Sequence, residues 1–229
     1  MSRELEIMQE SPRRRLIQSF NPQNRDVSSI KSFQEMFSQA TSMNRDLDHW
    51  NISSAVSLRR MFDSASSFDG SLSGWILGSK VRSIELMFSG ASSFSGRGME
   101  SWDVSRLTVG RRLFEGASTF RGNLTLWNTA RITDMFKMFA DCTSFDGDIS
   151  AWQLVEAKSL YGMFAGAASF TGINLQFWNT TRIISMQATF DDAPSLTADI
   201  SSWNGECRFW TNILLRSLSL RCVCVRAAL

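Results

Sequence analysis

The stretch "DVSRLTVGRRLFEGASTF", residues 103–120, decides the fold, because it recurs. Its Leu113-Phe114 pair has relatives at Met36-Phe37, Met61-Phe62, Met87-Phe88, Met138-Phe139, Met163-Phe164 and Thr189-Phe190. The steps between copies are 25 or 26 residues. Three residues after each Phe stands a small residue: Ala40, Ala65, Ala91, Ala117, Cys142, Ala167 and Ala193. Three further on stands a large apolar one: Met43, Phe68, Phe94, Phe120, Phe145, Phe170 and Leu196. Each copy closes on a tryptophan: Trp50, Trp75, Trp102, Trp127, Trp152, Trp178 and Trp203. Four columns over seven copies are a repeat array, in which each unit buries its apolar face only against its neighbours.

Within the unit, apolar residues fall 2, 5, 8 and 11 places after the Trp, as at Val104, Leu107 and Leu113, with Gly110 interrupting the series. In the first copy Val27, Ile30, Phe33 and Met36 hold these places and Arg25 stands where the Trp should be. A spacing of three is neither the alternation of a strand nor the 3.6 period of a helix. It predicts a short strand running into a helical turn around Met-Phe-x-x-Ala, then a loop back to Trp. The expected fold class is therefore α/β: a solenoid of about seven coils, each with one short parallel strand and a helical turn. The Ala column marks close backbone packing, with Cys142 a small buried hydrophobe in it. The glycines two places after the large apolar residue (Gly70, Gly96, Gly122, Gly147 and Gly172) read as turns needing positive φ.

Composition agrees with a folded array. The chain of 229 residues is 43% apolar and 20% charged, with a net charge of +2. That balance argues against a general attraction to nucleic acid or membrane. The basic residues are 20 Arg against 4 Lys. Three of the four cysteines, Cys207, Cys222 and Cys224, crowd the end of the chain, which is not a disulfide framework. Residues 1–20 carry no apolar core after their charges, so no signal peptide is expected, and no apolar run long enough to span a membrane occurs.

The segments "MFSGASSF" (87–94), "SWDVSRLT" (101–108) and "MFADCTSFDGDISAWQL" (138–154) resemble the repeats of the BspA-like leucine-rich-repeat surface protein family, in its roughly 25-residue form. The resemblance covers residues 25–203. It implies a leucine-rich-repeat-like solenoid, a binding or adhesion role at a cell surface or outside the cell, and no catalytic residues. The opening residues, lacking a signal peptide, leave a cytoplasmic location as the alternative. Residues 1–24 read as an N-terminal cap or a disordered lead, and residues 204–229 as a C-terminal cap or an aberrant tail.

Chemistry has little material. The single histidine, His49, would have to serve any Ser/His/Asp or Cys/His site, and nothing places a nucleophile beside it. With Asp46 and Asp48 it makes a poor zinc set. The Asp69-Gly70 and Asp146-Gly147 pairs are not repeated in the other copies, which carry Ser95, Arg121 and Thr171, so a calcium ladder is not expected. No phosphate loop is present. No metal, no cofactor and no enzymatic activity are expected.

The residues that do not repeat are the candidates for function. Four residues after the Trp, allowing one inserted residue after Trp75, the column reads Ser29, Ser54, Lys80, Arg106, Arg131, Glu156 and Arg182; further on, Arg59-Arg60, Arg111-Arg112 and Phe136-Lys137 follow. Lys80, Arg106 and Arg131, with Arg59, Arg60, Arg111, Arg112 and Lys137, form a mildly basic strip able to receive an acidic protein patch or a sulfated or phosphorylated polymer. The expected function is a non-enzymatic scaffold that binds another macromolecule through these exposed ladders. The alternatives are an intracellular protein–protein scaffold and a truncated array without independent function.

Overall fold

The computed structural model describes residues 25–203. Both terminal segments, 1–24 and 204–229, with their assignments as caps, lead or tail, lie outside the described residues.

The α/β expectation is overturned. Among the described residues the helical content is one three-residue 3-10 turn, Leu175–Phe177, and no strand forms. The expected parallel strand shrinks to single bridging residues, four places before the Met: Ser32 to Ser57, and then Ser83, Val109, Asp134, Ser159 and Ser185 in succession. The chain is thus not a leucine-rich-repeat-like α/β solenoid of seven coils, each with its strand and helical turn. It is a stack of irregular turns.

The backbone hydrogen bonds give the reason. In the segment 35–40, Glu35, Phe37 and Gln39 donate their N–H groups to Arg59, Met61 and Asp63 of the next repeat, at 3.0, 2.8 and 2.7 Å. The residues between them, Met36, Ser38 and Ala40, donate instead to Phe33, Glu35 and Phe37, three places back in the same repeat. The same alternation holds in the segment 112–117, where Arg112, Phe114 and Gly116 reach forward to Phe136, Met138 and Ala140. Every second N–H closes a local turn and every other joins the neighbour. A helix would need all of them inside the segment, and a strand would need none to turn back locally.

The φ angles carry the same message. The residue before the Met-Phe pair has positive φ in every repeat: Glu35, Arg60, Leu86, Arg112, Lys137, Gly162 and Ala188. So does the residue two places after the Phe: Gln39, Ser64, Gly90, Gly116, Asp141, Gly166 and Asp192. Left-handed residues at both edges stop a right-handed helix from propagating. These two columns, rather than the glycines after the Phe column, form the recurrent left-handed series. Of those glycines only Gly96 and Gly172 have positive φ. Gly70 is demanded by close approach instead, since a Cβ there would overlap the Arg45 carbonyl of the previous repeat.

The core follows the columns. Phe37, Phe62, Phe88, Phe114, Phe139, Phe164 and Phe190 form one continuous stack of rings, 5.4–5.9 Å between successive centroids. The second Phe column packs on it within each repeat, as with Phe88 and Phe94 at 4.1 Å. Offset stacked rings at these separations add to the burial energy. Every column residue from the Phe pair to the Trp is buried, including Cys142, whose thiol donates to the Phe114 carbonyl at 2.8 Å. Burial pushes the Cys142 thiol well above its usual range, so it stays protonated.

The tryptophans add a link between repeats. Each indole N–H of Trp75, Trp127, Trp152, Trp178 and Trp203 donates to a carbonyl one repeat earlier, at 2.7–3.1 Å. Trp102 is the exception: its buried indole nitrogen has no partner. At Gly110, where the sequence breaks its apolar column, the Met138 thioether of the next repeat approaches the vacant Cβ position at 3.3–3.4 Å. The gap is filled from outside the repeat.

Candidate binding surface

With the columns buried, the chemistry left to solvent lies between them. The candidate cations divide into two groups.

The first group flanks the Met-Phe turn, and its charges are matched. Arg59 donates to Glu85 at 3.1 Å. Arg60 pairs with Asp63 at 2.7 Å and stands 4.0 Å from Glu35. Arg111 reaches Asp134 at 3.5 Å. Arg112 and Lys137 share Glu115, at 3.2 and 3.8 Å. The Arg112 contact is an ion pair without an aligned hydrogen bond, because its Nε proton has no acceptor in line. These cations also gather round one ring: the Arg111 guanidinium lies 4.1 Å above Phe136, Arg112 at 5.5 Å and Lys137 at 5.9 Å. Phe136 in turn stacks on Tyr161 at 5.2 Å. A guanidinium and two rings thus occupy one place in three successive repeats.

The second group follows the Trp. Lys80, Arg106 and Arg131 are exposed, and among the described residues none has a carboxylate within ion-pairing distance. The next two members of their column neutralise one another, Arg182 to Glu156 at 3.5 Å. Arg106 and Arg131 line one open groove of about 410 Å³ together with Asp103, Ser105, Asn128 and Ala130. Asp103 and Asn128 hold the floor by accepting the N–H of the residue two places on, Ser105 and Ala130, at 3.0 and 3.1 Å. The hydrogen bonds from Ser105, side chain first and then backbone, hold the Asp103 carboxyl below its usual range, with Arg106 adding to the effect. Asp103 is therefore ionised at neutral pH.

The strip read from the sequence is accordingly two surfaces of different character. Sequence reasoning left out Asp103 and Asn128, which sit directly after the Trp, and did not pair Phe136, read only beside Lys137, with Tyr161. Their signals were present: a polar column at Asn51, Asp103, Asn128 and Asn179, and two aromatics 25 residues apart between buried columns. His49 lies 3.7 Å from Asp48, and among the described residues no three acidic, histidine or cysteine side chains gather as a metal site. Among the described residues no helix is long and apolar enough to cross a membrane.

The family described as "Mycoplasma protein of unknown function, DUF285" matches the chain over residues 17–98 and again over 86–203. The chain belongs to the DUF285 family. The second DUF285 match ends on Trp203, the last tryptophan of the array, and the two matches overlap over residues 86–98, within the third repeat. No curated protein and no solved structure matches the chain.

Proposed function

We propose that this DUF285 chain is a non-enzymatic repeat scaffold that binds another macromolecule through its exposed columns. The observation that carries the reading is the division of labour along the unit. The buried columns are nearly uniform from repeat to repeat, while the surface between them changes at every step. A surface varied over a constant core is how stacked-repeat proteins build extended binding faces. The non-enzymatic part of the reading rests on the resemblance of the repeats to the BspA-like family and on the single histidine, His49.

Placement at a cell surface or outside the cell, as an adhesion protein, rests on the resemblance of the repeats to the BspA-like family. An intracellular protein–protein scaffold is the competing reading. The test is affinity capture from the source cell with the full chain, in parallel with immunolocalisation on intact cells. Recovery of a specific macromolecule that competes with itself in solution supports the scaffold. A folded chain that captures nothing above a control protein of matched charge overturns it.

A further inference from the structure

Three surface features stand outside the core: the ring-and-guanidinium column at Arg111, Phe136 and Tyr161, the exposed apolar side chains Leu126 and Phe177, and the groove between Arg106 and Arg131. The first is satisfied by its own carboxylates. The second carries nothing that says what would cover it. The groove is different, because its two arginines outnumber its one carboxylate, Asp103.

We infer that the groove between Arg106 and Arg131, continued by Lys80, is a binding track for a linear sulfated polysaccharide. The inference rests on the scaffold reading above and names the ligand class for one of its faces.

Two observations and two physical arguments carry it. Arg106 and Arg131 stand four places after their Trp and Lys80 five, each directly before a buried apolar residue (Leu107, Ile132 and Val81), so they recur at the repeat spacing. Among the described residues none of the three has a carboxylate within ion-pairing distance, although the cations beside the Met-Phe turns have them within about 3–4 Å. Like charges held in a row repel and are relieved by an anionic ligand that spans them. Guanidinium groups present a planar fork suited to oxyanions.

The groove lining then selects among polyanions. It is polar, with Ser105, Asn128 and Asp103 between the two arginines. A protein interface is anchored by desolvated aromatic or apolar side chains in pockets, and this lining supplies none. Asp103 is an anion inside an anion site. It repels a chain that offers only negative charge, but its free carboxylate oxygen accepts a hydroxyl proton. The amide N–H₂ of Asn128 is left to donate, since its oxygen already holds the Ala130 N–H. A ligand that alternates sulfate esters with hydroxyls satisfies both arginines and Asp103. Polyphosphate, nucleic acid and acidic peptides bring charge with fewer or no hydroxyls.

The test measures binding of the full chain to dextran sulfate, unsubstituted dextran, inorganic polyphosphate and polyglutamate of matched charge, at low ionic strength. The expected result is binding to dextran sulfate, none to dextran, and at least several-fold weaker binding to the other two polyanions. Replacing both arginines, Arg106→Ser with Arg131→Ser, is expected to weaken dextran sulfate binding at least tenfold. The control pair Arg45→Ser with Arg121→Ser removes the same charge from exposed residues outside the groove and is expected to change it less than twofold. Asp103→Asn is expected to narrow the preference for dextran sulfate over polyphosphate. Circular dichroism of each variant reports folding separately. An equal loss in both arginine pairs reduces the effect to net charge and overturns the site. Equal or tighter binding of polyphosphate or polyglutamate overturns the assigned class. If dextran sulfate does not bind at all, the track is wrong, yet a partner still recovered by affinity capture would leave the scaffold reading standing.

Discussion

Ala188 and Gly70 show how this backbone inverts ordinary expectations about small residues. Ala188 occupies the left-handed column with φ of 54°, a conformation that costs an L-residue roughly 1–2 kcal/mol. Glycine escapes most of that strain but loses more entropy on folding. Ala188→Gly is therefore expected to stabilise the chain by up to about 1 kcal/mol. At Gly70 the φ is ordinary, and the obstacle is the Arg45 carbonyl of the preceding repeat. Gly70→Ala must push two repeats apart, at a cost of about 3 kcal/mol or more. Urea titrations of the two variants check both signs. A destabilised Ala188→Gly, or a neutral Gly70→Ala, would contradict the backbone assignment. Neither residue announces its role in the sequence: Ala188 looks like a helix former, and Gly70 like a turn glycine.

At the scale of the repeat, the decisive element is the segment around Met-Phe, which is turn and ladder at once. Its buried side is legible in the sequence, because side-chain size repeats in columns whatever the backbone does. Its backbone is not legible. A spacing of three suits a local turn, and stacking at a fixed repeat suits a strand; the chain does each with alternate N–H groups. Residues such as Leu86, Lys137 and Ala188 at positive φ carry no compositional flag, although Gly90, Gly116 and Gly166 in the companion column hint at it. The ring stack makes the segment costly to disturb. Phe139 is fully buried between Phe114 and Phe164 and against Phe145, so Phe139→Ala is expected to cost on the order of 3–5 kcal/mol. A loss below about 1 kcal/mol in denaturant would show that the column does not hold the repeats together.

The turns flanking each Trp belong to the same scale and add a pH dependence. Asp26, Asp103, Asp148 and Asp199 accept hydrogen bonds from the serine two places on, and these hold their carboxyls below the ordinary value of 3.8. A carboxyl lowered on folding stabilises the folded chain above its unfolded value, and that contribution is lost as pH falls through the folded value. The melting temperature is thus expected to be flat from neutrality to about pH 5 and to fall below pH 4. Asparagine already makes the turn after the Trp at Asn51, Asn128 and Asn179, and the turn before it at Asn123. Replacing all four aspartates by asparagine should keep the fold and flatten the acid limb. An acid limb unchanged in that variant would assign the loss to other groups.

For the whole molecule, stability is a property of succession. The candidate surface was legible as a set of cations, but not which of them were already matched, because ion pairs such as Arg59 with Glu85 join residues 26 apart in the sequence. Pairing across repeats is decided by the register of the stack, and that register makes a strong prediction. Deleting residues 113–137 removes one period and joins Arg112 to Met138. Arg112 then takes the place of Lys137, whose N–H meets the Tyr161 carbonyl at 3.0 Å, and each ladder bond beyond it is retained. Near-neighbour energetics therefore predict a folded, cooperative chain with a lower melting temperature and a denaturant slope reduced by roughly one-seventh. Deleting 113–124, about half a period, sets a Phe column against a turn column and is expected to abolish cooperative melting. Near-UV circular dichroism of the stacked tryptophans reports both outcomes. Equal tolerance of the two deletions would mean that the repeats fold as independent units, and equal failure that the stack depends on one irreplaceable central repeat.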